Sequence, residues 1–342
     1  MPLKYPVFAG NKTIQNASRN SPPLKKGARG LGVALLQGAL IDLGYRLPHS
    51  TQKSGSPDGV YGKETYGAVW QFQSDRKLKK DGVAGKNTIG ALDRILSAKI
   101  SPVPKKIPKA PPAIPKSREY KIGTGDPHVT RDPGAGVWNS KPKSASYVAL
   151  KEAIIVEVLP KAYVLIGDDA VKHLMHYFRN RGTNYRIDLE GMVKEVPSAG
   201  KLYELEVAQV KAYTEVLPVG KHFITSKRAQ GGYNTKAESK NWFFAVGGYS
   251  VWGKGQAIVK KGPAGNEFEL NFEYKFFDRY NWDAGKKVDI FGIEITDAFM
   301  GEFHKQGLAR EYDEIGSFKR RFTWKAGQTI PAGQYHPRRG AR

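Results

Sequence analysis

The chain has 342 residues, 40% of them apolar, a formal charge of +23 and no cysteine. The missing cysteine excludes disulfides, thiolate catalysis and cysteine-ligated zinc together, and no apolar run reaches the roughly 18 residues that a membrane-spanning helix needs. The charge calls for a polyanionic partner, for which nucleic acid, an anionic cell-envelope polymer or anionic phospholipid would serve equally well; no nucleic-acid motif is visible beyond the charge.

Residues 1–23 read as an N-terminal arm. Their opening, MPLKYPVFAG, has no apolar h-region, so no classical signal peptide is expected. Lysis, a contact-dependent injector or a phage particle would serve as the export route. Between residues 24 and 48, Val33, Leu36, Leu40 and Leu43 recur at helical spacing, and Gly44 stops the run. One stretch then occurs nearly twice. Residues 58–69 read DGVYGKETYGAV and residues 81–92 read DGVAGKNTIGAL, identical at eight of twelve positions. Each copy of such a repeat is a structural unit that needs its neighbour, and two copies make a small duplicated module. Each copy runs from an Asp-Gly turn to a threonine, Thr65 or Thr88, suited to cap a helix. Val69, Phe72 and Gln73 continue a second helix, and Ile89, Leu92 and Ile95 face inward from a third. Residues 24–97 are therefore expected to form a compact three-helix module.

The order Gly27, Gly30, Leu36-Gln37, Leu40, Leu43-Gly44-Tyr45, Asp58-Gly59, Tyr61-Gly62, Thr65, Ala68-Val69, Phe72-Gln73, Leu78, Asp81-Gly82, Gly85, Thr88, Leu92 resembles the type 1 peptidoglycan-binding domain. One departure is the Ser/Gly-rich loop at residues 49–57. The resemblance implies a non-catalytic module that holds a protein on cell wall, with Asp58, Tyr61, Thr65, Gln73, Asp81 and Thr88 as its peptidoglycan-binding residues.

Residues 98–118 carry a Pro/Lys-rich linker; residues 99–117 contain six prolines and five lysines, a composition that favours an extended, semi-rigid spacer. Residues 119–342 are expected to be the larger, effector domain, ending in a basic tail. Its helices come first, at residues 144–158 with a stop at Pro160, at residues 168–181 and at residues 202–217. Strands follow. Residues 241–259 read as glycine-punctuated strand, and residues 267–276 alternate strictly, with Phe268, Leu270, Phe272, Tyr274 and Phe276 on one side. Another strand is expected at residues 287–295, then a helix capped by Thr296 and running to about residue 312, then a strand at residues 317–324. Helices followed by mainly antiparallel strands argue an α+β domain.

Ionisable residues concentrate at 276–316. Asp278, Tyr280 and Asp283 lie at a strand end beside Trp282. Asp297, His304 and Glu311 are seven apart on the following helix, so all three fall on one stripe, about 10 Å apart along it. A histidine with carboxylates suits general acid–base work near neutral pH, so Asp278, Tyr280, Asp283 and His304 are the candidate catalytic residues. The bland alternative is a solvated helix end with turn residues and surface ion pairs. His173 and His176, one helical turn apart, are candidate metal ligands without an obvious third partner; otherwise they flank a buried face.

Asp278-x-Tyr280-Asn281 ahead of His304-Lys305 resembles the Asp-x-Tyr-Asp and His-Arg elements of colicin M-type lipid II hydrolases. Here Asn replaces the third acidic position, Lys replaces Arg and the gap is longer. That resemblance implies Asp278, Tyr280 and His304 around a phosphodiester of the lipid-linked wall precursor, with a divalent cation. The expectation is thus an antibacterial, cell-wall-targeting protein that hydrolyses peptidoglycan or lipid II, with an acidic immunity protein as a further partner. The rivals are a membrane-perturbing toxin acting through the aromatic stretch 241–254, whose bland alternative is a buried sheet, and a structural wall-anchored protein of a phage or secretion apparatus.

Overall fold

The computed structural model describes residues 2–100, 120–282, 287–290 and 293–330. The linker, Asp283 and the basic tail beyond Ile330 lie outside the described residues, apart from the linker's first three residues.

The arm folds. Helices α1 (Pro6–Ala9) and α2 (Lys12–Ala17) precede the module, and Asn11 caps α2 by accepting from the Ile14 N–H at 3.0 Å. Val7, Phe8 and Ile14 are buried in the same hydrophobic cluster as the module's helices. The module is built from α3 (Leu31–Asp42), α4 (Lys63–Asp75) and α5 (Lys86–Ala98). Neither threonine caps its helix. The chain enters α4 after Gly62 and α5 after Gly85, without a side-chain cap, and Thr65 and Thr88 sit one turn in, facing the interior.

Helix α3 is apolar all round and buried from Gly32 to Leu40. Such a helix needs cover on every side, and the cover comes from the C-terminal domain. Helix α6 (Ala145–Ala153) lies across it so closely that a Cβ on Gly38 would meet the Ser146 backbone at 2.6 Å. Tyr5 Oη and Ser146 Oγ are 2.7 Å apart in the same interface. One hydrophobic cluster runs from the arm and module into Tyr147, Ile154, Phe178, Phe299 and Phe303. The two parts are packed against each other, where the linker had suggested a module and effector held apart.

Helix α6 does not stop before Pro160. It passes through a π-helical turn (Ile154–Val158) into α7 (Leu159–Ile166). Proline has no N–H to donate and its ring crowds the carbonyl four residues back; the wide turn accommodates both within one rod. Helices α8 (Asp168–Phe178), α9 (Leu189–Glu195) and α10 (Pro197–Thr214) complete the helical part.

The strands are β1 (Tyr120–Ile122), β2 (Tyr185–Arg186), β3 (Gly220–Ser226), β4 (Gln230–Tyr233), β5 (Gly248–Gly262), β6 (Gly265–Tyr280), β7 (Lys287–Ile290), β8 (Ile293–Thr296) and β9 (Tyr312–Lys325). A seven-stranded sheet runs β1-β3-β5-β6-β9-β2, with β4 also on β5, while β7 and β8 pair separately. All of its pairings are antiparallel except β2 with β9. The alternation of β6 buries Phe268, Leu270, Phe272, Tyr274 and Phe276 against α9 and α10, and the domain is α+β as expected.

Residues 240–245 form a short helix, α11 (Lys240–Ala245), ahead of β5 instead of the start of a strand. Trp242, Tyr249 and Trp252 are buried, so the aromatic stretch 241–254 is core and presents no tryptophan face to a membrane. Thr296 does cap a helix, accepting from Phe299 N–H at 3.2 Å, but α12 (Asp297–Lys305) ends well before residue 312. Glu311 therefore precedes β9, and its seven-residue spacing from His304 is not a helical stripe.

Candidate active site

The module repeats its chemistry as faithfully as its sequence. In the first copy the buried Gln37 amide donates to Asp58 Oδ1 at 2.8 Å, Val60 O at 3.0 Å and Thr65 Oγ1 at 2.9 Å, and its carbonyl accepts from Gly59 N–H at 2.9 Å. In the second copy the Gln73 amide donates to Asp81 Oδ1, Val83 O and Thr88 Oγ1 at 2.9–3.0 Å, and its carbonyl accepts from Gly82 N–H at 2.9 Å. The glutamine uses both ends to close a loop whose backbone groups would otherwise be buried unpaired. The carboxyl of Asp81 is held below the usual carboxylate range by hydrogen bonds from Val83 N–H and Gln73 and by Lys79, against a desolvation cost that pushes the other way. Tyr61, Thr65, Gln73 and Thr88 are buried, with the Tyr61 hydroxyl on Gly82 O at 2.9 Å. These four expected ligand contacts are framework instead. Of the six, only Asp58 and Asp81 keep surface exposure.

In the C-terminal domain, adjacent strand residues point to opposite faces, and this divides the expected catalytic set. Asp278 and Tyr280 share one face of β6. Their register partners on β9 are Glu314 and Tyr312. The Tyr280 and Tyr312 rings stack at 5.0 Å and 12°. Glu314 is fully buried, and its Oε1 lies 2.5 Å from Nδ1 of the equally buried His173 on α8. His173 Nδ1 also faces Ala245 O at 3.0 Å, while its Nε2 has no hydrogen-bond partner among the described residues. Tyr185 lies 4.4 Å from the His173 ring, and His176 lies 4.4 Å from the Tyr312 ring. Burial raises the Tyr280 and Tyr312 hydroxyls far above their ordinary range, and the Glu314 carboxylate adds to both. Asp278, half-buried at the strand end, is the carboxylate of this cluster with access to solvent.

Arg279, Glu311 and Asp313 belong to the other face. Arg279 Nη1 bonds Asp313 Oδ1 at 3.0 Å, Arg131 closes on the same carboxylate, and Glu311 Oε1 accepts from the backbone N–H groups of Ala135 and Trp282 at 2.8 and 2.9 Å. His304 is here, not beside Asp278. Its Nδ1 accepts from Glu311 N–H at 3.1 Å and its Nε2 donates to Gly136 O at 3.0 Å. That pattern fixes the neutral tautomer carrying its proton on Nε2. Burial lowers the imidazole's pKa, with Arg279, Arg310 and Lys305 adding to the effect and the Gly136 bond opposing it. With both ring nitrogens engaged by backbone, His304 ties Gly136 to Glu311, the residue that leads into β9, and offers no free position for proton transfer.

His173 and His176 meet aromatic rings and backbone carbonyls, His176 Nε2 lying 2.8 Å from Thr183 O. Among the described residues no three metal-capable side chains converge. Glu314 lies outside the strand expected at 317–324, because β9 begins five residues earlier, at Tyr312. The alternation Tyr312-x-Glu314 that continues β9 was available as a signal.

Residues 29–92 match the family of peptidoglycan binding domains. This segment belongs to that family. The peptidoglycan-binding domain is 33% identical to the SleB N-terminal domain, covering 23% of this chain and 97% of that one with a TM-score of 0.20. A peptidoglycan-binding protein from Clostridioides difficile is 32% identical, over 23% of this chain and 45% of its own length, with a TM-score of 0.20. A likeness spanning 86% of the chain is to PaeM, a colicin M-like bacteriocin produced by Pseudomonas aeruginosa, at 13% identity, 85% of that chain and a TM-score of 0.29. No curated protein matches the chain.

Proposed function

We propose that the chain is an antibacterial, cell-wall-targeting protein whose peptidoglycan-binding domain retains it on the wall while the C-terminal domain hydrolyses peptidoglycan or its lipid-linked precursor, lipid II. The observation that carries the retention is the peptidoglycan-binding domain at residues 29–92. Support for the chemistry comes from the end of β6. There Asp278 meets solvent above Glu314, His173, Tyr280 and Tyr312. Buried ionisable groups gather in this way where proton transfer is carried out. Asp278 is the general base or acid of the proposed step, Tyr280 and Glu314 hold its surroundings, and a divalent cation bound with the substrate would supply charge neutralisation at a phosphodiester. In this reading the protein acts at the envelope and is countered in its producer by an acidic immunity protein.

The test incubates the full chain and its Asp278→Asn variant with purified sacculi and, separately, with lipid II. Each incubation is run with and without chelator, and products are read by mass spectrometry. Muropeptides or a released phosphoryl sugar, absent with the variant, are the expected result. The absence of any product from both substrates overturns the enzymatic reading and leaves a structural wall-anchored protein. Product formation that survives Asp278→Asn moves the chemistry elsewhere.

A further inference from the structure

The outer side of the α6–α7 rod is apolar where a surface helix is ordinarily polar. Ile154, Leu159, Ala162 and Ile166 turn inward and are buried. Facing out are Val156 and Val164, 71% and 90% exposed, with Ile155, Tyr163 and Leu165 beside them, all among the exposed large hydrophobic side chains. Val156, Pro160 and Val164 recur every fourth residue, so they form one stripe along the rod, and Pro160 is exposed with them. Residues 154–166 are apolar on both sides with only Glu157 and Lys161 as charges, the exposed Glu152 marking the N-terminal limit of the stripe, and no helix among the described residues is long and apolar enough to cross a membrane. Contiguous exposed aliphatic surface of this kind marks an interaction site.

We infer that this stripe is a bilayer-contact surface, on which the protein lies against anionic phospholipid without spanning it. Two observations select lipid over a protein partner. The stripe is made of aliphatic side chains with a single tyrosine at its border, whereas protein-binding patches are enriched in aromatic residues, methionine and arginine. The chain's formal charge of +23 draws it to an anionic surface, and shallow burial of apolar side chains combined with that attraction is how interfacial helices bind. The membrane face is therefore α6–α7, not the aromatic stretch 241–254, whose tryptophans are buried. A bilayer contact is independent of whether the domain cleaves anything.

Flotation of the full-length protein with vesicles of phosphatidylglycerol and phosphatidylethanolamine tests this. The variant is Val156→Asp/Val164→Asp, two highly exposed positions at which folding is checked by circular dichroism and thermal melting. The wild type is expected to float and to stay bound in part at about 0.5 M salt, where the Debye length is roughly 4–5 Å. The double variant is expected to bind about tenfold or more weakly. Equal binding by both proteins, or wild-type binding wholly lost at high salt, would show charge alone at work and overturn the inference. No binding by either also overturns it. So does concentration-dependent self-association that the double variant abolishes, since a second copy would then be the occupant of the stripe.

Discussion

Asp42, the last residue of α3, caps the helix that begins at Ala145. Its Oδ1 accepts from Ala145 N–H at 2.7 Å and its Oδ2 from the Ser144 hydroxyl at 2.6 Å. A carboxylate at the C-terminus of its own helix opposes that helix's dipole, but here it meets the positive N-terminal end of another. The misfit in α3 is thereby resolved only when the C-terminal domain is docked. Asp42→Ala is expected to cost about 1–2 kcal/mol of stability, and Gly38→Val to cost more because its side chain would enter the Ser146 backbone. Chemical denaturation checks both. Each variant should also expose a protease-sensitive interface, which limited proteolysis would reveal.

The duplicated glutamines lead to a prediction about wall binding. Gln73→Ala leaves Gly82 N–H, Asp81, Val83 O and Thr88 without their shared partner and opens a cavity, for about 3 kcal/mol in total. Sacculus pull-down of the variant should fall in step with its unfolded fraction across temperature. Binding lost while the module remains fully folded would instead mean that Gln73 touches the ligand.

His304 makes stability depend on pH. Its folded pKa is below the unfolded value of about 6.5, so the unfolded state takes up a proton first as pH falls. The histidine's contribution is fully present above about 6.5 and is lost as pH falls through the folded value. Urea midpoints should drop between pH 7.5 and 5. The part of that drop due to His304 should vanish in His304→Gln, which keeps a neutral polar side chain but cannot titrate. Hydrolytic activity, if measured at pH 7.5, should survive this substitution to the extent that the protein stays folded.

Glu206 shifts the other way. Buried between β1, β3 and β5, it accepts from the Tyr120 hydroxyl at 2.5 Å, the Ser226 hydroxyl at 2.6 Å and Gly253 N–H at 3.0 Å. Desolvation raises its pKa despite these three donors. Its contribution is present below the unfolded value of about 4.3 and is lost as pH rises through the folded one. Glu206→Gln retains an acceptor oxygen without the charge. It is expected to be neutral or stabilising at pH 7, whereas Glu206→Ala leaves the Tyr120 hydroxyl without an acceptor, Ser226 and Gly253 still bonding each other, and costs about 1–3 kcal/mol. Thermal melts of both variants at pH 5 and pH 8 would separate the two cases.

Where side chains repeat with a fixed period, the sequence was enough. The alternation of Phe268 through Phe276 located β6, and the twin Asp-Gly motifs located the module. Periodicity did not say what lies between elements. Thr65 looked like a cap because threonine often is one, yet Gln37, twenty-eight residues earlier, takes its hydroxyl. His304 looked available because its neighbours in sequence are polar. Its real partners are Gly136 O and Glu311 N–H, and the first is supplied by a loop that no spacing rule connects to it. Pro160 suggested a helix end, and a single π turn absorbed it. Half of the Asp278 site was visible as a strand end. The other half, Glu314 and His173, needed the β6–β9 register and the docking of α8.

The shared core of module and C-terminal domain changes what anchoring does. A module on a free tether would raise the local concentration of its cargo while leaving the cargo free to face any direction. Here Gly38 against Ser146, and Asp42 on the α6 terminus, allow the cargo one attitude. A wall strand that captures residues 29–92 thereby also aims the sheet and the α6–α7 rod. The protein would arrive at its target surface already oriented, and the choice of which wall strand to bind would be a choice of where Asp278 points.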